Sequence, residues 1–242
     1  LIKGIPYLSL DLFSWTYNSE NVSFMPSIVN TIIMVMGALL ISVPFGIFSA
    51  IYLVEYAKRG NKMVGVIRIT AETLAGIPSI VYGLFGMLFF VTTLKMGYSL
   101  LAGIFTVAIM ILPLMMRTTE EALKSVPDIF REGSFGLGAG KLRTVFRIVL
   151  PTAIPGILAG IILSIGRIVG ETAALIYTAG TVAELPKNLL SSGRTLSVHM
   201  YALSKEGLHT DQAYATAVML LGIVLLINML STMMAKKIEK KS

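Results

Sequence analysis

Glu132-Gly133-Ser134-Phe135-Gly136-Leu137-Gly138-Ala139-Gly140-Lys141-Leu142-Arg143-Thr144-Val145-Phe146-Arg147-Ile148-Val149-Leu150-Pro151 is a basic stretch set between long apolar blocks. It is the second half of a linker, Arg117–Pro151, that is too polar to cross a bilayer and too long to be a simple turn. Gly136, Gly138 and Gly140 permit a sharp turn, because glycine tolerates positive φ. After them, Leu142, Val145, Phe146 and Val149 recur at helical spacing, with Lys141, Arg143 and Arg147 between them. The first half of the linker reads similarly. Thr118 or Thr119 is placed to cap a helix with Glu120 and Glu121 in its first turn, and Pro127 opens a further piece with Asp128 near its start. The stretch is thus a short helix, a glycine break and an amphipathic helix that runs through Pro151 into the next apolar block. A helix beneath a membrane with an exposed apolar face docks into a partner's groove. Gly140-Lys141 is not a phosphate-binding loop. Phe135 stands where that motif needs its first glycine, and Leu142 where it needs Ser or Thr.

Outward from this stretch the chain is membrane-like. Of its 242 residues, 55% are hydrophobic and only 14% charged, too little charge for the surface of a soluble domain. Five apolar segments are long enough to span: Ser27–Val54, Val64–Leu94, Ser99–Met116, Ile154–Ala179 and Ala213–Met234. The sequence therefore predicts an all-α integral membrane protein, a polytopic helical bundle. Residues 1–26 form an interfacial segment with Phe13, Trp15 and Tyr17, residues 27–235 the transmembrane domain, and residues 236–242 a basic tail. There are no cysteines, and His199 and His209 make no metal-ligand pattern.

Charge sets the orientation. Lys58, Arg59, Lys62, Arg117, Lys124, Arg131, Lys141, Arg143, Arg147, Lys236, Lys237, Lys240 and Lys241 fall on one side. Lys3, Lys95, Lys187, Arg194 and Lys205 fall on the other, 13 against 5. The positive-inside rule makes the first side cytoplasmic. The net charge of +7 is therefore topogenic, and nucleic acid is excluded as a partner. Five spans and a cytoplasmic C-terminus put Leu1 outside; the expectation is one further helix upstream of it, and the alternative is a genuine five-span protein.

Within the spans, Gly156 with Gly160 and Gly166 with Gly170 form two G-x-x-x-G pairs that let helices approach closely. Pro44, Pro78 and Pro113 kink or break their helices. Arg167 and Glu171 lie four apart in the fourth span. Arg167 is about 24 Å from Pro151 at the helical rise of ~1.5 Å per residue. Charges at that depth face a bundle interior or a water-filled path. The pair reads either as a self-satisfied structural bridge or as an anion stop, since a guanidinium matches the oxygens of an oxyanion. Arg117, at the end of the third span, is either a second cationic stop or a topological anchor. Arg68 and Glu72 repeat the i,i+4 spacing in a structural or coupling role. In the external segment 180–212, Pro186, Asn188 and Leu189 suggest a short re-entrant or surface helix.

The linker now carries a resemblance. Glu132-Gly133-Ser134, three residues, Gly138, nine residues, then Ile148-Val149-Leu150-Pro151 resembles the Glu-Ala-Ala…Gly…Ile-x-Leu-Pro signature of bacterial ABC importer membrane subunits, of the MetI-like permease type. It departs in having Gly133 and Ser134 for two alanines. Met115–Leu123, Gly166–Ala173, Ala75–Gly86 and Ser192–Tyr201 are similar to the phosphate-specific importer permeases, the last to their A-type subunit. The resemblance implies six helices, a translocation path at Arg117, Arg167 and Glu171, and a coupling segment at Glu132, Gly133, Ser134, Gly138, Ile148, Leu150 and Pro151. It implies a heterodimer with a C-type permease, on two copies of an ATPase subunit that bind ATP and magnesium, fed by a periplasmic phosphate-binding protein. The expected role is therefore a multi-pass permease of the bacterial inner membrane, not an enzyme and without a cofactor of its own. The alternatives are a permease for another oxyanion (molybdate, sulfate or phosphonate), or a sensor or scaffold that is not the pore.

Overall fold

The computed structural model describes residues 3–18, 20–58 and 60–239. Leu1, Arg59, Lys240 and Lys241, on which the orientation argument draws, lie outside the described residues, as do the side chains of Lys236 and Lys237. Among the described residues there is no strand. The order is α1 (Met25–Ile51), α2 (Lys62–Ala75), α3 (Ser79–Gly86), α4 (Leu100–Lys124), α5 (Asp128–Gly136), α6 (Lys141–Thr144), α7 (Leu150–Gly170), α8 (Ala173–Ile176), α9 (Leu196–Glu206) and α10 (Thr210–Glu239). Short π-helical turns extend α1 through Tyr52–Tyr56, extend α3 through Met87–Thr93, and join α6 to α7 through Val145–Val149. Among the described residues, four runs are long and apolar enough to cross a membrane: Met25–Tyr56, Leu100–Lys124, Lys141–Gly170 and Thr210–Met229. A fifth is counted if the interrupted pair Lys62–Ala75 and Ser79–Thr93 is one span.

Several boundaries differ from the sequence reading. The segment Val64–Leu94 is not one straight helix but breaks at Gly76-Ile77-Pro78. Pro78 has no N–H and pushes Ile77 out of the helical region, and it then serves as the N-cap of α3. The third span does not stop at Met116. It continues to Lys124, and the Thr118 hydroxyl donates to Leu114 O at 3.0 Å, inside the helix, instead of capping a new one. The fourth span ends at Gly170, not Ala179. No helix forms at Pro186–Leu189; there the Asn188 side chain closes a turn by accepting from Leu190 N at 3.0 Å.

The chain divides into two compact units. One comprises Leu1–Ile41, Ile77–Met110 and Ile165–Ile227, and the other Ser42–Gly76, Ile111–Ser164 and Asn228–Ser242.

In the first unit the N-terminal segment folds back in 3₁₀ turns. Leu12 and Phe24 are buried with Leu196 and Ala215, and the Phe13 ring meets Phe24 edge-on at 4.9 Å. The segment before α9 is pinned by polar contacts. Asn30 Nδ2 donates to Arg194 O at 3.2 Å, and Leu196 N donates to Thr31 Oγ1 at 2.9 Å. The orphan N–H groups at the start of α4 are satisfied by this same region. Ser99 N donates to Thr178 O, Leu100 N to Ser191 O and Leu101 N to Leu189 O, each at 2.9–3.0 Å.

In the second unit, Ala50 and Ile51 of α1, Ala122 and Leu123 of α4, and Val145, Val149, Ala153 and Ile157 form one core. Gly156 and Gly160 let α7 lie against α4. A Cβ on Gly156 would sit 2.7 Å from that of Ala122, and one on Gly160 would overlap Thr118. A Cβ added at Gly166 or Gly170 would meet nothing within 4 Å, so the second G-x-x-x-G seats no close helix approach within the described residues.

Candidate functional site: a docking cleft and three membrane charges

The docking segment is built from α5, α6 and the π turn. Pro127 stands as N-cap of α5 with Asp128 in its first turn. After Gly136 the chain reverses at Gly138, whose φ of +80° few residues other than glycine adopt readily. Gly138 N bonds Phe135 O at 2.9 Å and Ala139 N bonds Ser134 O at 3.1 Å, closing the turn. The Ser134 and Thr144 hydroxyls meet at 2.8 Å, tying α5 to α6. A methyl group on Gly133 would meet nothing within 4 Å, so an alanine fits there.

The apolar residues of this segment divide between two faces. Val145 and Val149 are buried in the chain's own core, whereas Leu137 is 91% exposed and Leu142 66%. Ile129, Phe130, Phe135 and Phe146 are also exposed. The periodicity Leu142, Val145, Phe146, Val149 suggests a single face. The helical pitch instead splits it, half anchoring the segment and half left for another surface. Between the arms lies a cleft of about 640 Å³ lined by Ile129, Phe130, Gly133, Leu137, Arg143 and Ile148, among others. Gly133, Ser134, Gly138 and Ile148 all border it, Leu150 continues into α7, and Glu132 and Pro151 are exposed.

Sequence reasoning missed what fixes the segment in place. Arg131 Nε and Nη2 donate to Glu55 Oε1 at 3.1 and 2.8 Å. Its Nη1 donates to Val126 O and its Nη2 to Leu123 O, at 2.7 and 2.9 Å, and its Nη1 also reaches Asp128 at 3.2 Å. One guanidinium thus caps the end of α4, holds α5 and binds the end of the first span. Both partners are largely buried, 14% and 8% exposed in the side chain. Seventy-six positions separate them, and no local pattern announces such a pair.

The membrane charges are less tightly grouped than their spacing suggests. Arg117 pairs with Glu121 at 3.1 Å, and both are well exposed. Arg68 pairs not with Glu72 but with Glu120, at 2.7 Å, and Lys124 shares that carboxylate at 2.6 Å. Arg167 and Glu171 do not form an ion pair. α7 ends between them, and the buried Glu171 carboxylate turns to accept from Ala174 N at 3.0 Å, opening α8. The Ser197 hydroxyl donates to Glu171 O at 2.5 Å and holds this break. Arg167 is left half-buried. Among the described residues no group of three or more His, Asp or Glu side chains is placed to hold a metal.

Residues 42–242 match the family described as binding-protein-dependent transport system inner membrane component. The chain is 34% identical to a probable ABC transporter permease protein, YqgI, of Bacillus subtilis, over 100% of the chain and 88% of that protein. It is 35% identical to the phosphate transport system permease protein PstA of Pasteurella multocida, over 94% of the chain and 82% of that protein. Its fold is similar to a chain of the inward-facing MetNI methionine ABC transporter, with a TM-score of 0.69 over 89% of this chain and 94% of that one, at 18% identity.

Proposed function

The chain belongs to the family of binding-protein-dependent transport system inner membrane components, and from that premise we propose that it is the A-type permease subunit of an ABC importer for inorganic phosphate. It is a multi-pass protein of the inner membrane, a transporter subunit and not an enzyme. The observation that carries the coupling is the two-faced docking segment: Val145 and Val149 locked into the core, Leu137 and Leu142 exposed beside a cleft. The substrate reading is supported by the likeness to a phosphate permease over nearly all of the chain.

A separate ATPase subunit, in two copies, seats this segment and carries ATP and magnesium. A C-type permease completes the pore, and a periplasmic phosphate-binding protein delivers the anion. The segment lies on the cytoplasmic side by the positive-inside rule. Closure of the ATPase pair moves the docking segment. Helix runs without interruption from Lys141 to Gly170, so the displacement passes into the stretch that holds Arg167. Arg167 offers phosphate a guanidinium with no carboxylate in ion-pair reach among the described residues, Glu171 holds the helix break beside it, and Arg117 forms a second cationic stop that must first leave Glu121.

Uptake by the importer reconstituted in vesicles tests the reading. ATP-driven entry of phosphate in preference to molybdate, sulfate and phosphonate is the expected result. Preference for another oxyanion, or undiminished flux when this chain is omitted, would overturn it.

A further inference from the structure

Arg194 is 4% exposed, and no carboxylate lies within ion-pair distance of it among the described residues. Its Nε and Nη2 are buried without a hydrogen-bond partner. The guanidinium rests on the face of the Tyr17 ring, 4.6 Å from its centroid, a contact that stabilises a cation without neutralising it. The neighbouring His199 is also fully buried and meets the Tyr17 ring edge-on at 6.1 Å. A buried, unpaired charge costs several kcal/mol, and such groups are ordinarily paired. Arg194 is not on a spanning helix. It lies in the loop before α9, and its backbone is fixed on both sides. Arg194 N donates to Val182 O at 2.8 Å, and Arg194 O accepts from Asn30.

Arg194 borders a cleft of about 600 Å³, ample for a tetrahedral oxyanion. Thr172, Thr181, Tyr177 and Tyr201 line the same cleft and supply hydroxyl donors. Lys205 and Glu206 also line it, so the lining side chains carry a net charge of +1 with Arg194 counted. Thr172 follows directly on Glu171, at the break where α7 ends. The cleft therefore combines a fixed cation lacking its counter-charge, a second cation and several neutral donors. That combination suits a bound oxyanion that must also leave, because hydroxyls select weakly while the guanidinium supplies the charge.

We infer that this cleft is an oxyanion-binding station centred on Arg194, with Lys205 and the Thr172, Thr181, Tyr177 and Tyr201 hydroxyls around it, and that free inorganic phosphate occupies it. The identification of phosphate rests on the proposed function; the site itself rests on the unpaired guanidinium.

Thermal unfolding of the detergent-solubilised, lipid-depleted importer, titrated with inorganic phosphate in the absence of binding protein, tests it. A ligand that binds only the folded protein raises Tm with its concentration, which a purely structural arginine does not do. Phosphate is expected to raise Tm of the wild-type importer and of Arg167→Gln. The rise should vanish in Arg194→Gln, and a roughly tenfold higher concentration should be needed in Lys205→Gln, which removes only a rim charge and keeps the fold if Arg194→Gln does not assemble. A phosphate response unchanged in both Arg194→Gln and Lys205→Gln overturns the site. So does a response to anionic lipid with none to phosphate, which assigns the cation to a headgroup. A response only to added ligand-free binding protein does the same, assigning it to a partner carboxylate. Sulfate separates this inference from the functional one. If the importer carries sulfate and Arg194-dependent protection follows sulfate, the station stands and the phosphate reading falls.

Discussion

Arg131 Nη2 lies 2.8 Å from Glu55 Oε1, so the residue just before the docking signature is bolted to the end of the first span. The same side chain also donates to Leu123 O of α4, to Val126 O just beyond its end and to Asp128. A surface loop of basic residues has no need of such a tie. In the proposed importer the segment transmits force, and slack at its base would absorb the displacement.

Breaking this tie has a distinct signature. Arg131→Ala leaves the Glu55 carboxylate buried without its partner, a change that costs ~3 kcal/mol or more. The double variant Arg131→Met/Glu55→Gln should be less destabilised than the sum of the single changes. A double-mutant cycle on thermal unfolding measures the coupling, and coupling near zero would remove the clamp. In reconstituted importer, Arg131→Ala should hydrolyse ATP with reduced phosphate uptake per ATP.

The glycines of the docking segment should respond in opposite directions. Gly133 is helical with open space around it, so Gly133→Ala is expected to stabilise by up to about 1 kcal/mol and leave coupling intact. Gly138 is equally open, but its φ is +80°, so Gly138→Ala should destabilise by about 1 kcal/mol through backbone strain alone. Gly138→Pro, which cannot adopt that φ, should uncouple ATP hydrolysis from uptake. Unfolding midpoints and the ratio of phosphate moved to ATP hydrolysed check both.

His199 makes stability depend on pH. Burial first, and the nearby Arg194 second, push its pKa down to about 3, against a smaller opposing effect of the Val22 backbone. In the unfolded chain it titrates near 6.5. The unfolded state therefore binds more protons between these values. Full stability is present above pH ~6.5 and falls as pH drops towards 3, by roughly 1 kcal/mol per unit at the steepest. His199→Gln should flatten the profile between about pH 6.5 and 4.5. An equal slope in both proteins would place the acid sensitivity elsewhere.

Much of this architecture is legible in the sequence because a bilayer imposes it. The long apolar runs mark the spans, and the glycines at positions 136–140 mark the turn between α5 and α6. Thr118 has the residue type of a cap but finds a carbonyl within its own helix. Arg68 has Glu72 at i,i+4 spacing yet reaches Glu120, on a different helix. Arg167 and Glu171 have the spacing of a pair, but Glu171 leaves the helix to cap α8. Thr118 and Glu171 are diverted by backbone groups a few residues away, and Arg68 by a partner on another helix, which periodicity does not encode. The Arg131–Glu55 clamp and the unpaired Arg194 are illegible for the same reason. The break at Gly76-Ile77-Pro78 is within reach, since a proline two residues after a glycine is a local signal.

ATP-driven uptake of labelled phosphate by the reconstituted importer, wild type against Arg167→Ala, tests the central claim most directly. The claim predicts loss of at least nine-tenths of phosphate flux in the variant, as an order-of-magnitude expectation for removing a charge-bearing group from the path, with ATPase assembly on the docking segment retained. Undiminished phosphate uptake by Arg167→Ala, in a correctly assembled complex, would contradict it.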